Sequence, residues 1–548
     1  RTPGGYWDGR LSSSALSTGV ASIALAAAGE DEAAARGRDW LKAHVNNDGG
    51  WGDTGESPSN LATTLLSWCA LGEALETEAW IKRQTDGDIA KAVLRFYGND
   101  RTFSAPILTC CALSGKLNWA QVPQLPFELA AFPMGLFRWL RLPVVSYALP
   151  ALIAIGLVRH VKLPSRCAPW RSPAIGRVLP VLERVQPESG GFLEAAPLTA
   201  FVAMSLIGAG FGAHPAARKC LDFLLDTQRE DGSWPIDTNL ATWLTSLAAR
   251  ALTERESFDG GAALAYLLGG QLREPHPYTG AAPGGWAWTH LSGGVPDADD
   301  TPAALIALHR LGPSNEEARN AAEAGVKWLL DLQNRDGGMP TFCRGWGRLP
   351  FDKSCADLTA HAIRAWALWR GDLPGPLQTR TDTALRKAIR FLEGNQRPDG
   401  AWLPLWFGNQ NAPDQENPLY GTACVVYALR ALEGSAETAR LVERGAAWIA
   451  STQEASGGWG GAADTPPSIE ETALAVQALA GSQHHAAAAR GAAWLVQETG
   501  HGTRFPAAPI GLYFASLWYD ELLYPLIFTV QALESFSKAT KVKAANRA

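Results

Sequence analysis

The chain repeats one short pattern: a helical stretch runs into a glutamine, then an Asp-Gly or Gly-Gly turn, then an aromatic residue. The copies are QREDGSW (Gln228 to Trp234), QNRDGGM (Gln333 to Met339), QRPDGAW (Gln396 to Trp402), QEASGGW (Gln453 to Trp459) and the looser QPESGGF (Gln186 to Phe192), with an earlier NNDGGW ending at Trp51. Before most copies lies an amphipathic stretch such as LRKAIRFLEG or RGAAWIAST, and after most lies a second, such as TNLATWLTSLAARAL or EETALAVQAL. A lone helical hairpin cannot bury its apolar stripe, so neighbouring hairpins must stack and either close into a ring or wind into a superhelix. The repeat therefore predicts an all-α fold of helical hairpins, and it overrules the prior of several independent domains that 548 residues would suggest.

The repeat also accounts for an odd composition, 22 Trp against 10 Tyr, because Trp is too large and too needful of an N–H partner to serve as general filler. Hydrophobic residues make up 47%, enough for a large core, so global disorder is excluded. With 48 Lys plus Arg against 54 Asp plus Glu the formal charge is −6 and no long basic run occurs, which argues against a nucleic-acid partner. Eight cysteines without CxxC spacing suggest neither a zinc ribbon nor a disulfide scaffold, and fit a reducing cytoplasm.

Between Gln121 and Val161 the composition changes, with prolines at 123, 126, 133, 143 and 150. Arg138, Arg141 and these prolines interrupt every stretch long enough to span a bilayer, which needs about 20 apolar residues. Two readings stand for it: a surface-inserted patch led by Phe132, Met134, Leu136, Phe137, Trp139 and Leu140, or a core-packed connector.

The segment GGWAWTHLSGGVPDADDTPAALIALHRL crowds Asp297, Asp299 and Asp300 just before a helix whose start is signalled by Thr301 and Pro302. One Asp suffices as a helix cap; three raise at least one pKa by mutual repulsion, so that a neutral carboxylic acid can persist near pH 7. Taken alone, the cluster fits a metal site, a cap or a proton donor. In RGWGRLPFDKSCADLTAHAIRAWALW, Asp357 and His361 lie four residues apart on one helical face.

Together these segments resemble the class II terpene cyclases, and within them the squalene-hopene cyclases. The resemblance rests on the Gln-to-Trp turns, PDADDT, the upstream GGWAW, DLTAH and NPLYGT (Asn417 to Thr422), and it covers almost the whole chain. It implies two (α/α) barrel domains, one inserted into the other: residues 1–20 packing with the C-terminal barrel, 21–237 as the inserted barrel with a membrane patch, and 238–548 as the barrel carrying the acid motif. It implies that Asp299 protonates an alkene, that His361 assists as an imidazolium oriented by Asp357, that Asp297 and Asp300 hold the arrangement, and that Tyr420 relays a proton back. Trp243, Trp288, Tyr147, Phe342, Trp406 and Phe505 are the implied substrate-facing aromatics, Phe505 near the far end of the cavity. Aromatic faces suit that role because each stabilises a desolvated cation by about 2 kcal/mol without reacting with it. No cofactor and no metal are implied. The implied partners are squalene or a related polyprene, a membrane surface through residues 123–158 on its cytoplasmic side, and a second copy in a homodimer.

Two other readings compete. One keeps the acid and changes the substrate to a shorter polyprenyl diphosphate such as geranylgeranyl diphosphate. The other is a non-catalytic lipid- or protein-binding scaffold, which leaves three crowded aspartates without a purpose. The chain is shorter than a typical squalene cyclase, and Met339 and the decayed QETGHGTRF depart from the repeat.

Overall fold

The computed structural model describes residues 1–548 apart from 99–100, 134–148, 165–167, 254, 256, 278, 343–351, 433–435, 513–516 and 546–548. The predicted all-α fold of helical hairpins is what forms. Five inner helices, α1 (Ala15–Ala28), α2 (Leu61–Leu71), α3 (Arg101–Leu113), α4 (Leu149–Lys162) and α5 (Ala196–Gly208), pack side by side, with α5 returning to α1. Six more close a second ring: α6 (Ala241–Leu252), α7 (Asp300–Leu311), α8 (Ala356–Trp369), α9 (Pro418–Arg430), α10 (Ile469–Leu479) and α11 (Tyr524–Ala545), with α11 against α6. More polar helices such as Asp31–Ala43, Pro215–Asp226 and Glu316–Leu332 form the outside. The inner helices are apolar on nearly every face, as expected of helices flanked on both sides and covered behind.

Each Gln-to-Trp turn is a staple. In the Gln396 copy, Gln396 Nε2 donates to Gly400 O of its own turn (2.9 Å) and to Leu441 O of the next outer helix (3.1 Å). Trp402 Nε1 donates to Leu392 O, ten residues back (2.8 Å), and the backbone N–H of Trp402 donates to Thr422 Oγ1 of the following inner helix (2.9 Å). The same set recurs at Gln453 and Trp459. Gly400 has φ 103°, and a Cβ there would lie 2.6 Å from Arg444 O, so this position tolerates neither a side chain nor ordinary backbone geometry. At Gln228 the long-range bond runs to Ala33 O, 195 residues back, which closes the first ring. Met339 keeps the backbone part of the pattern, its N–H donating to Thr359 Oγ1 (2.9 Å).

One repeat escapes a reading of the sequence. Gln271 bonds Gly284 O and Ala321 O, and Trp286 bonds Leu267 O and Thr301 Oγ1, so these residues form a full staple with an insertion between the glutamine and the glycine.

Two large apolar cores result, one from Leu16 to Val295 and one from Ala249 to Ala532, and Phe342 packs on both. The first residues pack on the second ring: Trp7 N donates to Thr245 Oγ1, Tyr6 stacks on Tyr266, and Ser12 N donates to Asp520 O. Leu16 and Val20 already belong to the first core.

The region 123–158 divides. Residues 149–158 are not membrane-facing as expected: they lie in inner helix α4 with Ile153, Ile155, Leu157 and Val158 fully buried, because a helix apolar on all sides belongs inside a closed ring. Phe127 is buried too, whereas Leu129 and Phe132 are 43% and 53% exposed. Met134, Leu136, Phe137, Trp139 and Leu140 lie outside the described residues. Among the described residues no helix is long and apolar enough to cross a membrane.

Candidate active site

Helix α7 begins at Asp300 with Asp299 at its N-cap position, yet the Asp299 side chain makes no capping bond. Asp297 does the capping instead, one carboxylate oxygen accepting the N–H groups of Asp299 (2.8 Å) and Asp300 (2.7 Å). The Asp299 carboxyl is thereby free to turn across the ring to α8, where its Oδ1 and His361 Nδ1 share a hydrogen bond of 2.8 Å between residues 62 apart in sequence. Asp299 is 21% exposed and His361 10%. Thr301 completes the turn by accepting the Trp286 N–H, and Thr341 ties the loop to the aromatic wall: its carbonyl accepts from Ala298 N (2.9 Å) and its hydroxyl from Trp406 Nε1.

Asp299, His361, Asp357, Tyr420 and Trp243 converge on one cavity of about 60 Å3, several times the roughly 10–15 Å3 of such space that one water requires. Burial pushes the Asp299 carboxyl up to about 7, against the pull of the Arg250 guanidinium. Burial and the neighbouring carboxylates drive Asp300 far up, so Asp300 holds a proton, and burial raises Asp297 to about 7 against the pull of its two N–H donors. The cluster thus contains protonated carboxyls near neutral pH.

Two expected roles change. Against the expected imidazolium, burial, then the Arg364 and Arg250 guanidiniums, push the His361 pKa well below 6.5, which favours the neutral ring, and its buried Nε2 has no hydrogen-bond partner among the described residues. Asp357 does not orient His361; it accepts instead from the Cys355 thiol, and burial raises its carboxyl to about 7. Arg250 and Arg364, also lining the cavity, escape sequence reading, although each is a cation interrupting an apolar inner helix, which is the available signal.

The aromatics form a connected wall. Trp288 meets Phe342 edge-on at 6.4 Å between centroids, Phe342 meets Trp406 at 6.2 Å, and Trp243 meets the His361 ring at 5.9 Å. Tyr420 packs on Phe407 at 4.8 Å, and Phe407 belongs to a small antiparallel sheet with Ile510–Leu512 and Leu517–Tyr519. Phe505 is not brought to the acid: it lines an outer groove of about 650 Å3 with Thr499, His501 and Leu533, because the loop after the helix His485–Glu498 runs outside the ring. Tyr147 lies outside the described residues. Among the described residues no three His, Cys, Asp or Glu side chains gather as metal ligands.

The family described as the squalene-hopene cyclase C-terminal domain matches residues 240–535, and the prenyltransferase alpha-alpha toroid domain matches residues 16–107. Enfumafungin synthase of Hormonema carpetanum is 27% identical over 91% of the chain and 46% of its own length, so the chain spans about half the length of the first curated relatives it matches. Drimenyl diphosphate synthase of Streptantibioticus cattleyicolor is 32% identical over 49% of the chain and 48% of that protein. The solved ent-copalyl diphosphate synthase from Streptomyces platensis shares the fold, with a TM-score of 0.55 and 20% identity over 96% of both chains. The match across more than half of its residues and the fold it adopts make the chain a member of the squalene-hopene cyclase family of class II terpene cyclases.

Proposed function

We propose that the chain cyclises squalene to a polycyclic triterpene of the hopene type, beginning with proton transfer from Asp299. The observation that carries this reading is a carboxyl at a capping position that caps nothing, sits near its protonation midpoint at neutral pH, and bonds a neutral imidazole. When His361 Nδ1–H donates to Oδ1, the acid proton resides on Oδ2 and is available to a terminal alkene. Transfer breaks that O–H bond and forms a C–H bond at the less substituted alkene carbon, leaving a tertiary cation and the Asp299 carboxylate. The cation then moves along the folded polyene beside Trp288, Phe342 and Trp406, whose faces favour positive charge without donating a lone pair. Loss of a proton to water ends the reaction as an isomerisation; capture of water gives an alcohol. Asp297 and Asp300 hold the turn, and Tyr420, on the same cavity, stands where a water could pass a proton back to Asp299. Exposed Leu129 and Phe132 make this edge of the first ring a candidate contact with the cytoplasmic face of a membrane, where squalene dissolves.

The 32% match to a drimenyl diphosphate synthase favours a second reading, a shorter polyprenyl diphosphate as substrate. Detergent-solubilised protein is incubated separately with squalene, farnesyl diphosphate and geranylgeranyl diphosphate, each with and without magnesium, and the extracts, after phosphatase treatment for the diphosphates, are analysed by gas chromatography and mass spectrometry. Cyclic triterpene from squalene is expected. Conversion of a diphosphate alone establishes the second reading, and unchanged substrate in every arm, beside an active control cyclase, refutes both.

A further inference from the structure

Three inner helices of the second ring meet the acid cavity in steps of one turn. On α6 the step runs Trp243, Leu247, Arg250, at i, i+4 and i+7. On α8 it runs Asp357, His361, Arg364, and on α9 Tyr420, Cys424, Tyr427. His361, which bonds Asp299, is thus about 4.5 Å along α8 from Arg364, at about 1.5 Å per residue. The polar side chains that α10 and α11 bring to the cavity, Gln477 and Gln531, carry no charge.

Two guanidiniums on the wall of an apolar ring need a reason, because a cation leaves water at a cost unless another charge answers it. No carboxylate among the described residues forms an ion pair with either. Arg364 lies over the Tyr427 ring at 4.4 Å. Arg250 stands in the last turn of α6, where the helix dipole favours a cation, but that alone does not turn it toward Asp299. Burial and the facing Arg364 lower its pKa to about 9, so it is still charged at neutral pH. Burial keeps Tyr420, Cys424 and, on the small sheet, Tyr519 protonated there. Burial also raises the Tyr427 phenol, but Arg364 and Arg250 bring it below its usual value. Asp297, Asp299 and Asp357 all titrate at about 7, so the two arginines are the fixed positive charges of a site whose carboxyls change theirs. Their reach differs: after burial, Asp299 is pulled by Arg250, whereas His361 is pushed by Arg364 first and Arg250 second.

We propose that Arg250 is a positioning residue for the acid: its guanidinium, backed by Arg364, stabilises the carboxylate that Asp299 becomes when its proton leaves. An imidazolium would lose that power as pH rises through its pKa, and a guanidinium does not. Arg250 thereby takes over the task expected of a charged His361, whose neutral Nδ1–H is left to hold Oδ1. The proposal rests on the role given to Asp299 above.

Arg250→Gln, Arg250→Lys and Arg364→Gln are compared with the native chain in two measurements. One is turnover against pH, with squalene or whichever diphosphate is converted; the other is the 15N NMR titration of His361, which needs no substrate. In Arg250→Gln the alkaline limb of turnover, set by Asp299, should move up by about one pH unit, and the plateau below it should fall at least about tenfold because the acid is weaker. The His361 midpoint should rise too, and Arg250→Lys should bring limb, plateau and midpoint back toward their native values. Arg364→Gln should raise the His361 midpoint while moving the limb far less. Lower turnover in Arg250→Gln with limb and midpoint both unmoved would make Arg250 a packing residue and overturn the proposal, as would a Lys variant no different from the Gln variant. If the native chain turns over nothing, the cyclase reading fails by itself, and the His361 midpoint decides whether Arg250 governs the pair. Should the melting curve show Arg250→Gln unfolded, an unmoved His361 midpoint in Arg364→Gln overturns the proposal in its place.

Discussion

Replacing Asp299 by Asn tests the acid directly, because it separates loss of the proton from loss of the shape. Folding lifts the Asp299 carboxyl from 3.8 to about 7, chiefly by burial. At about 1.4 kcal/mol per pH unit, that rise amounts to about 4 kcal/mol. The sign is fixed by proton uptake: between these two values the folded state holds a proton that the unfolded state has released. The stability this group contributes is therefore complete below pH 3.8 and is lost as pH climbs through about 7. Asn does not titrate, and its amide oxygen still accepts from His361 Nδ1–H. The Asn variant should thus gain on the native protein by about 3 kcal/mol between pH 5 and pH 8 and run parallel to it above. Urea unfolding followed by tryptophan fluorescence at four pH values measures the difference, alongside turnover, which should vanish in the variant and, in the native protein, fall above pH 7. A stability difference that stays flat from pH 5 to pH 8 would mean that Asp299 is an ordinary ionised cap, and the account of the acid would fail.

Other outcomes follow from the same geometry. Gln396→Ala removes the bonds to Gly400 O and Leu441 O and should cost about 2 kcal/mol in urea unfolding, at about 1 kcal/mol each; an unchanged midpoint would deny that the turn is a staple. Phe505→Ala, on the outer groove, should leave turnover and product pattern intact, and a changed product would place it in the cavity after all. His361, buried beside two guanidiniums, should show one protonated and one bare ring nitrogen by 15N NMR at pH 6; two protonated nitrogens at that pH would restore the imidazolium.

What the letters disclosed was whatever is local or repeated. The turn at Gln396 writes its glutamine, glycine and tryptophan within seven positions, so the hairpins and their stacking can be read directly. Asp299 and His361 stand out because crowded carboxylates and a helical His are rare in company, though nothing local joins residues 62 apart. The Gln271 staple stayed hidden because an insertion separates its parts. The lowering of the His361 pKa was not legible because it depends on burial and on Arg250 and Arg364, which reach the site from two different helices and are marked in sequence only as cations interrupting apolar stretches. Asp357 was misassigned because its position four residues before His361 suggests a contact that the nearer thiol of Cys355 takes over.

The bond from Gln228 to Ala33 has a consequence for how the first ring bears damage. An open solenoid can fray from its ends and needs specialised terminal units, but a circle has neither beginning nor end. Unfolding there must start by breaking a seam between neighbouring hairpins. New termini cut into an exposed loop, with the old ones joined, should accordingly leave the circle intact, whereas deleting any one hairpin should open it as a whole.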